Sequence, residues 1–61
     1  MKAQLIKTLK DFYIFCGVDP QNALSVACLK VREQMKGVKP GPKQVQMILD
    51  VEQQVFETLG I

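Results

Sequence analysis

The chain has no histidine and no tryptophan, and Ser25 is its only serine. Histidine is the commonest general base and the commonest metal-binding side chain, so its absence argues against both kinds of site. Ser25 lacks a base that would activate it as a nucleophile. The carboxylates Asp50 and Glu57 are two helical turns apart and are explained as solvated charges. We therefore expect no catalytic residues, no cofactor, no metal site and no enzymatic activity.

Cysteine is also scarce, with only Cys16 and Cys28 present. Small secreted proteins usually carry four to eight cysteines, so two of them favour a cytoplasmic chain in which they are small buried apolar residues. No apolar run approaches the roughly 18 residues of a membrane span, and no signal-peptide pattern opens the sequence. At 61 residues the chain forms one domain, 1–61, of a size that often needs a partner subunit for stability.

Three helices are predicted from apolar spacing and from the residues that start and stop helices, which makes the fold class all-α, a three-helix bundle. The first helix is expected over 2–16, ended by Gly17. The second is expected over 20–36, because Asp19 is a good N-cap and proline suits the first helical position. The third is expected over 42–59, between Pro42 and Gly60.

The apolar stripes expected to form the core follow from the same spacing. On the first helix they are Leu5, Leu9, Phe12 and Cys16, flanked by Ile6 and Tyr13. On the second they are Leu24, Ala27, Cys28, Val31 and Met35.

More apolar side chains are present than one small core can bury. On the third helix, Val45, Leu49 and Phe56 lie on a different side from Ile48, Val51 and Val55. Large exposed apolar patches usually mark interfaces, and symmetric dimers are the commonest assembly, so a homodimer is expected. The residues expected at protein interfaces are Phe12, Tyr13, Ile14, Phe15, Val45, Leu49 and Phe56.

Charge is distributed unevenly along the chain. All eight basic residues lie before position 44 with three acidic ones, and the remaining 18 residues hold three acidic residues and no basic one. Lys36, Lys39 and Lys43 surround the turn before the third helix, whose start carries the positive end of the helix dipole. This turn is expected either to contact an acidic partner or another anion, or to be a solvated loop.

A helix-turn-helix is the alternative interpretation, because a short turn with Gly17 joins the first two helices. The second helix would then read DNA bases through Gln21, Asn22 and Ser25, with Arg32 near the phosphates. Tyr13 argues against it, since a small residue is usual where the two helices cross. The modest net charge of +2 argues against it as well.

The function favoured by the sequence is therefore non-enzymatic protein binding. We expect a small regulator or inhibitor that docks on a larger protein and self-associates through apolar helix surface. DNA binding is the second hypothesis, and neither a membrane nor a small-molecule substrate is expected as a partner.

Overall fold

The computed structural model describes the backbone of residues 2–60 and the side chains of residues 3–60. This part of the chain is all-α and contains three helices: α1, Lys2–Phe15; α2, Pro20–Lys36; and α3, Pro42–Leu59. The predicted three-helix fold class is thereby confirmed, with α2 and α3 at the predicted bounds. Among the described residues, no helix combines the length and apolarity needed to cross a bilayer.

The first helix ends at Phe15, one residue before the predicted end at Cys16. The Cys16 N–H donates to the carbonyl oxygens of both Phe12 and Tyr13, at 3.1 and 3.0 Å, so the last turn tightens. Gly17 then adopts a φ of +89°, which is costly for any residue with a Cβ. The helix therefore stops here, and the chain turns toward α2.

The starts of α2 and α3 are capped by side chains. The Asp19 carboxylate accepts a hydrogen bond from the Gln21 N–H at 2.9 Å, satisfying one of the amides that have no partner in the first turn. Before α3, the Gly41 N–H donates to the Gln44 side-chain oxygen at 2.8 Å. Local chemistry alone thus accounts for both helix starts.

One core joins the three helices near the α1–α2 connection. Its buried members are Tyr13, Cys16, Val18, Ala23, Val26, Ala27, Ile48, Val51 and Val55. Helix α1 packs alongside α2, and α3 packs over the connected end of this pair. At this end α3 is hydrogen-bonded to the Cys16 carbonyl oxygen, which accepts from the Thr58 hydroxyl at 2.8 Å and from Gln54 Nε2 at 3.2 Å.

The predicted core stripes of α1 and α2 were partly wrong. Leu5 and Phe12 on α1 are exposed, and so are Leu24 and Met35 on α2. On α1 the buried side instead runs through Ile6, Leu9, Tyr13 and Cys16, so the helix is rotated from the predicted orientation. On α2, Ala23, Val26, Ala27 and Val31 are the buried residues. Small Ala23 and Ala27, both with no exposed surface, allow the neighbouring helices to approach closely.

Candidate interaction surfaces

An apolar groove runs between α1 and α2 at the end that α3 does not cover. Its volume is about 450 Å³, and its lining consists of Leu5, Thr8, Leu9, Phe12, Val31, Gln34 and Met35. Leu5 lies near the start of the chain and Met35 near the end of α2, so the two helices lie side by side as far as this groove. We call this surface the hairpin groove.

Several side chains of the hairpin groove expose much of their apolar surface. Leu5 is 50% exposed, Phe12 is 40% exposed and Met35 is 54% exposed. The ring centre of Phe12 lies 6.1 Å from that of Tyr13. Phe15 follows Phe12 at the i+3 spacing of helical neighbours and is 79% exposed. The predicted contact residues Phe12 and Phe15 therefore lie at or beside the groove. Ile14 is also partly exposed but does not line it.

Tyr13 was wrongly placed among the interface residues. Its side chain is 4% exposed and belongs to the core, because α1 is rotated so that Tyr13 faces α2 and α3. Burial, and secondarily the negative charge of Glu52, raises the pKa of the Tyr13 phenol above its ordinary value. Tyr13 is thus a core residue whose ring is tilted by 50° relative to that of Phe12.

The predicted division of α3 into two apolar sides is confirmed. Ile48, Val51 and Val55 are buried, whereas Val45, Leu49 and Phe56 are exposed. That Val45, Leu49 and Phe56 form a protein interface stays a prediction. Sequence reasoning did not include Leu59, which is also about half exposed and extends the same side of the helix.

A second groove, of about 420 Å³, lies between α2 and α3 and is lined by Leu24, Ser25, Cys28, Leu29, Gln44 and Met47. Sequence reasoning did not point to it, because Leu24 was expected in the core. Cys28 is partly accessible there, while Cys16 is buried, and both are free thiols.

The three lysines expected to attract anions are all exposed. Lys36 lies in the last turn of α2, Lys39 in the connection and Lys43 in the first turn of α3. The ion pairs found within residues 3–60 are Lys10 with Asp11, at 3.9 Å, and Lys30 with Glu52, at 3.3 Å. None of the three lysines takes part in these pairs, so their charges face solvent.

The residues of the DNA hypothesis are exposed as well, namely Gln21, Asn22, Ser25 and Arg32. The surrounding geometry is less favourable to it. A helix-turn-helix places its two helices at roughly 90–120°, whereas α1 and α2 lie side by side as far as the hairpin groove. This arrangement resembles an αα-hairpin with a short connection.

Across the described residues, no three His, Cys, Asp or Glu side chains are grouped so as to hold a metal ion. A smaller recess of about 180 Å³ beside the α1–α2 connection includes Asp19, Asn22, Asp50 and Gln54.

Comparison with protein-family models, with curated proteins and with solved structures found no match to this chain. Function is therefore inferred from its own residues and their arrangement.

Proposed function

We propose that this chain is a non-enzymatic protein-interaction module, a small cytoplasmic regulator or inhibitor that acts as a homodimer. It docks on a larger protein through the hairpin groove. The observation that supports this function is the groove itself, where Leu5, Phe12 and Met35 are 40–54% exposed although they lie on the structured helices. Exposed contiguous apolar surface of this kind commonly marks a binding site.

The shape of the hairpin groove favours an amphipathic helix of the partner as the bound element. The groove lies between two helices and is lined mainly by apolar side chains, with Thr8 and Gln34 as the polar ones. Such a groove accepts a helix whose anchors recur every three or four residues. Phe12 is the central contact of the groove, because aromatic anchors carry a large share of interface energy. Phe15 extends the contact beside it. The exposed Lys36, Lys39 and Lys43 would speed encounter with an acidic partner surface.

Photo-cross-linking identifies the partner. The photoreactive residue p-benzoylphenylalanine is placed at position 12 in the hairpin groove and, as a control, at position 24 in the α2–α3 groove. We expect position 12 to cross-link to one protein, which is then purified for direct binding measurements. A protein captured only from position 24 would show that the hairpin groove is not the docking site.

Calorimetric titration of that purified partner then tests individual side chains. Leu5→Ala and Phe12→Ala should each weaken binding by more than about 1 kcal/mol, a factor of five or more. Leu24→Ala is the matched control, because Leu24 is a helical leucine of 48% exposure, close to the 50% of Leu5, and it should change the affinity little.

Salt separates the DNA hypothesis from protein docking. Affinity for DNA falls steeply with salt because phosphate contacts release counterions, whereas an apolar groove is far less sensitive to it. Binding to duplex DNA with a steep salt dependence, together with loss of sequence preference in Gln21→Ala or Asn22→Ala, would overturn the proposed protein-docking function.

A further inference from the structure

Four apolar side chains of α3 form a stripe that the core does not use: Val45, Leu49, Phe56 and Leu59. Each of them is at least 40% exposed. At about 100° per residue they fall within an arc of roughly 80° on the helix surface. We call this set the α3 stripe.

The α3 stripe has the heptad spacing of helices that pair with other helices. Position 52 completes the alternation of four and three residues that runs from Val45 to Leu59, so the stripe occupies the a and d positions of two heptads. The buried side of α3, with Ile48, Val51 and Val55, is centred about 90° away around the helix. Helix α3 thus has one apolar side for its own core and a second for another helix.

Glu52 occupies the heptad position between Leu49 and Phe56, and its charge is paired with that of Lys30. Its Oε2 atom lies 3.3 Å from Nζ of Lys30 on α2, and both side chains are about one-third exposed, at 35%. A partner helix lying on the stripe therefore meets an ion pair at this position and not an isolated carboxylate. A single polar position in an apolar seam is a known means of setting register.

The residues that border the α3 stripe favour a second copy of the same chain as its partner. On the solvent side the stripe is bordered by the neutral Gln46 and Gln53. The acidic Asp50 and Glu57 lie farther round, and each accepts a hydrogen bond from one of these glutamines, at 3.0 and 3.5 Å. A self-complementary surface must face its own charges, and like charges at a seam repel. Along the α3 stripe, the one charged position, Glu52, is paired with Lys30.

The chain also exposes more surface than the average compact monomer of its mass. A compact monomer of 6.9 kDa exposes about 4,000 Å², whereas this chain exposes 4498 Å². The excess is thus about 500 Å², and a stable interface takes roughly 800 Å² from each partner. The exposed apolar side chains include those of both the α3 stripe and the hairpin groove, and pairing of two copies along the stripe would cover the part that the stripe contributes.

We infer that the α3 stripe is the homodimer seam, packing against the α3 stripe of a second copy. This assignment rests on the homodimer of the proposed function and names the surface that forms it. The hairpin groove is lined only by α1 and α2, so it remains open in such a dimer.

The molar mass, measured by light scattering across a size-exclusion peak from low to high micromolar concentration, tests the seam. The wild-type chain should be a dimer, and Leu49→Glu should raise the dimer dissociation constant at least about 100-fold, because two leucines lose their burial per dimer. Leu24→Glu is the control, because Leu24 is a helical leucine that is 48% exposed, close to the 55% of Leu49. This variant should leave the dimer intact. Circular dichroism confirms that each variant is folded, and Phe56→Glu provides a second test if Leu49→Glu fails to fold.

The outcomes separate the seam from the wider function. A wild-type monomer at high micromolar concentration would refute both the seam and the homodimer, but not docking through the hairpin groove. A dimer that survives Leu49→Glu and Phe56→Glu, yet dissociates in Leu24→Glu or Leu5→Glu, would refute the seam and leave the homodimer in place.

Discussion

Gly17→Ala probes the point where the α1–α2 connection meets α3. Gly17 has a φ of +89°, and a Cβ atom added there would lie 3.3 Å from Nε2 of Gln54. An L-residue in a left-handed conformation costs roughly 1–2 kcal/mol. The displaced Gln54 amide would also weaken its 3.2 Å hydrogen bond to the Cys16 carbonyl oxygen, which costs about 1 kcal/mol. Because Thr58 still donates to that oxygen at 2.8 Å, we expect a total loss of about 2–3 kcal/mol.

Gly37→Ala is the matched control for this substitution. Gly37 also has a positive φ, +68°, but a Cβ atom there would meet no atom within 4 Å. Both substitutions reduce the conformational freedom of the unfolded chain equally. The contact with Gln54 exists only at position 17, and the φ of +89° there is also farther from the left-handed minimum than the +68° of Gly37. We therefore expect Gly17→Ala to be less stable than Gly37→Ala by at least about 1 kcal/mol.

Urea and thermal unfolding, followed by far-ultraviolet circular dichroism at one fixed protein concentration, measures this difference. The concentration is held constant because the proposed dimerisation would contribute to the apparent stability. In a domain of this size 1 kcal/mol corresponds to a shift in Tm of roughly 4–8 °C. Equal losses in the two variants would refute the contact between the connection and α3. A Gly17→Ala chain more stable than the wild type would refute the left-handed backbone at position 17.

Two further predictions concern the core. Val26→Ala should lower the free energy of unfolding by about 1.5–3 kcal/mol, because Val26 has no exposed surface and truncation leaves a cavity. Val38 is half exposed, so Val38→Ala is the control, and an equal loss in the two variants would contradict the burial of Val26. Burial, and then the charge of Glu52, raises the pKa of Tyr13 above 10.0, so the folded chain holds this proton at pH values where the unfolded chain has begun to lose it. The stabilisation is complete below pH 10 and falls as the pH rises through the folded pKa. Urea midpoints should therefore decline less steeply above this pH in Tyr13→Phe than in the wild type, and identical slopes would contradict the burial of Tyr13.

Helix bounds were predictable because the residues that set them act locally. Pro20, Gly37 and Pro42 stand at a helix start or just past a helix end, and each acts through backbone geometry or a missing amide that no tertiary contact changes. The bounds of α2 and α3 accordingly match the structure. Helix α1 ends one residue before the predicted end, because the Cys16 N–H donates to two backbone carbonyl oxygens at once. No sequence pattern predicts such a shared hydrogen bond.

The orientation of α1 and α2 about their own axes was not predictable from spacing. Both helices carry apolar residues on more than one side, so more than one stripe fits the period of the helix. The spacing favours the stripe through Leu5 and Phe12, whereas the structure buries Tyr13 on the neighbouring side. The available signal was Ala23 followed by Ala27, a pair of small side chains one turn apart that marks a close helix contact.

The same ambiguity explains why the hairpin groove could not be foreseen as a unit. Leu5 and Met35 were assigned to the core, and only knowledge of where α3 lies shows that they are left uncovered. Phe12 and Phe15 were identified as candidates because the aromatic run exceeded what one helix side can bury. Composition therefore indicated that surplus apolar surface exists, while its location depended on tertiary structure.

The position of α3 links the two proposed surfaces. Because α3 packs over the connected end of the α1–α2 pair, it leaves the hairpin groove open at the other end and keeps its own stripe uncovered. The two surfaces share no residue, so pairing through α3 does not consume the groove. The proposed dimer would carry two grooves. A partner with two matching helices would bind the second groove at a high effective concentration, which strengthens binding by roughly 10²–10⁴ without any new contact. Through the proposed assembly, a chain of 61 residues would gain both additional burial of apolar surface and a second binding site.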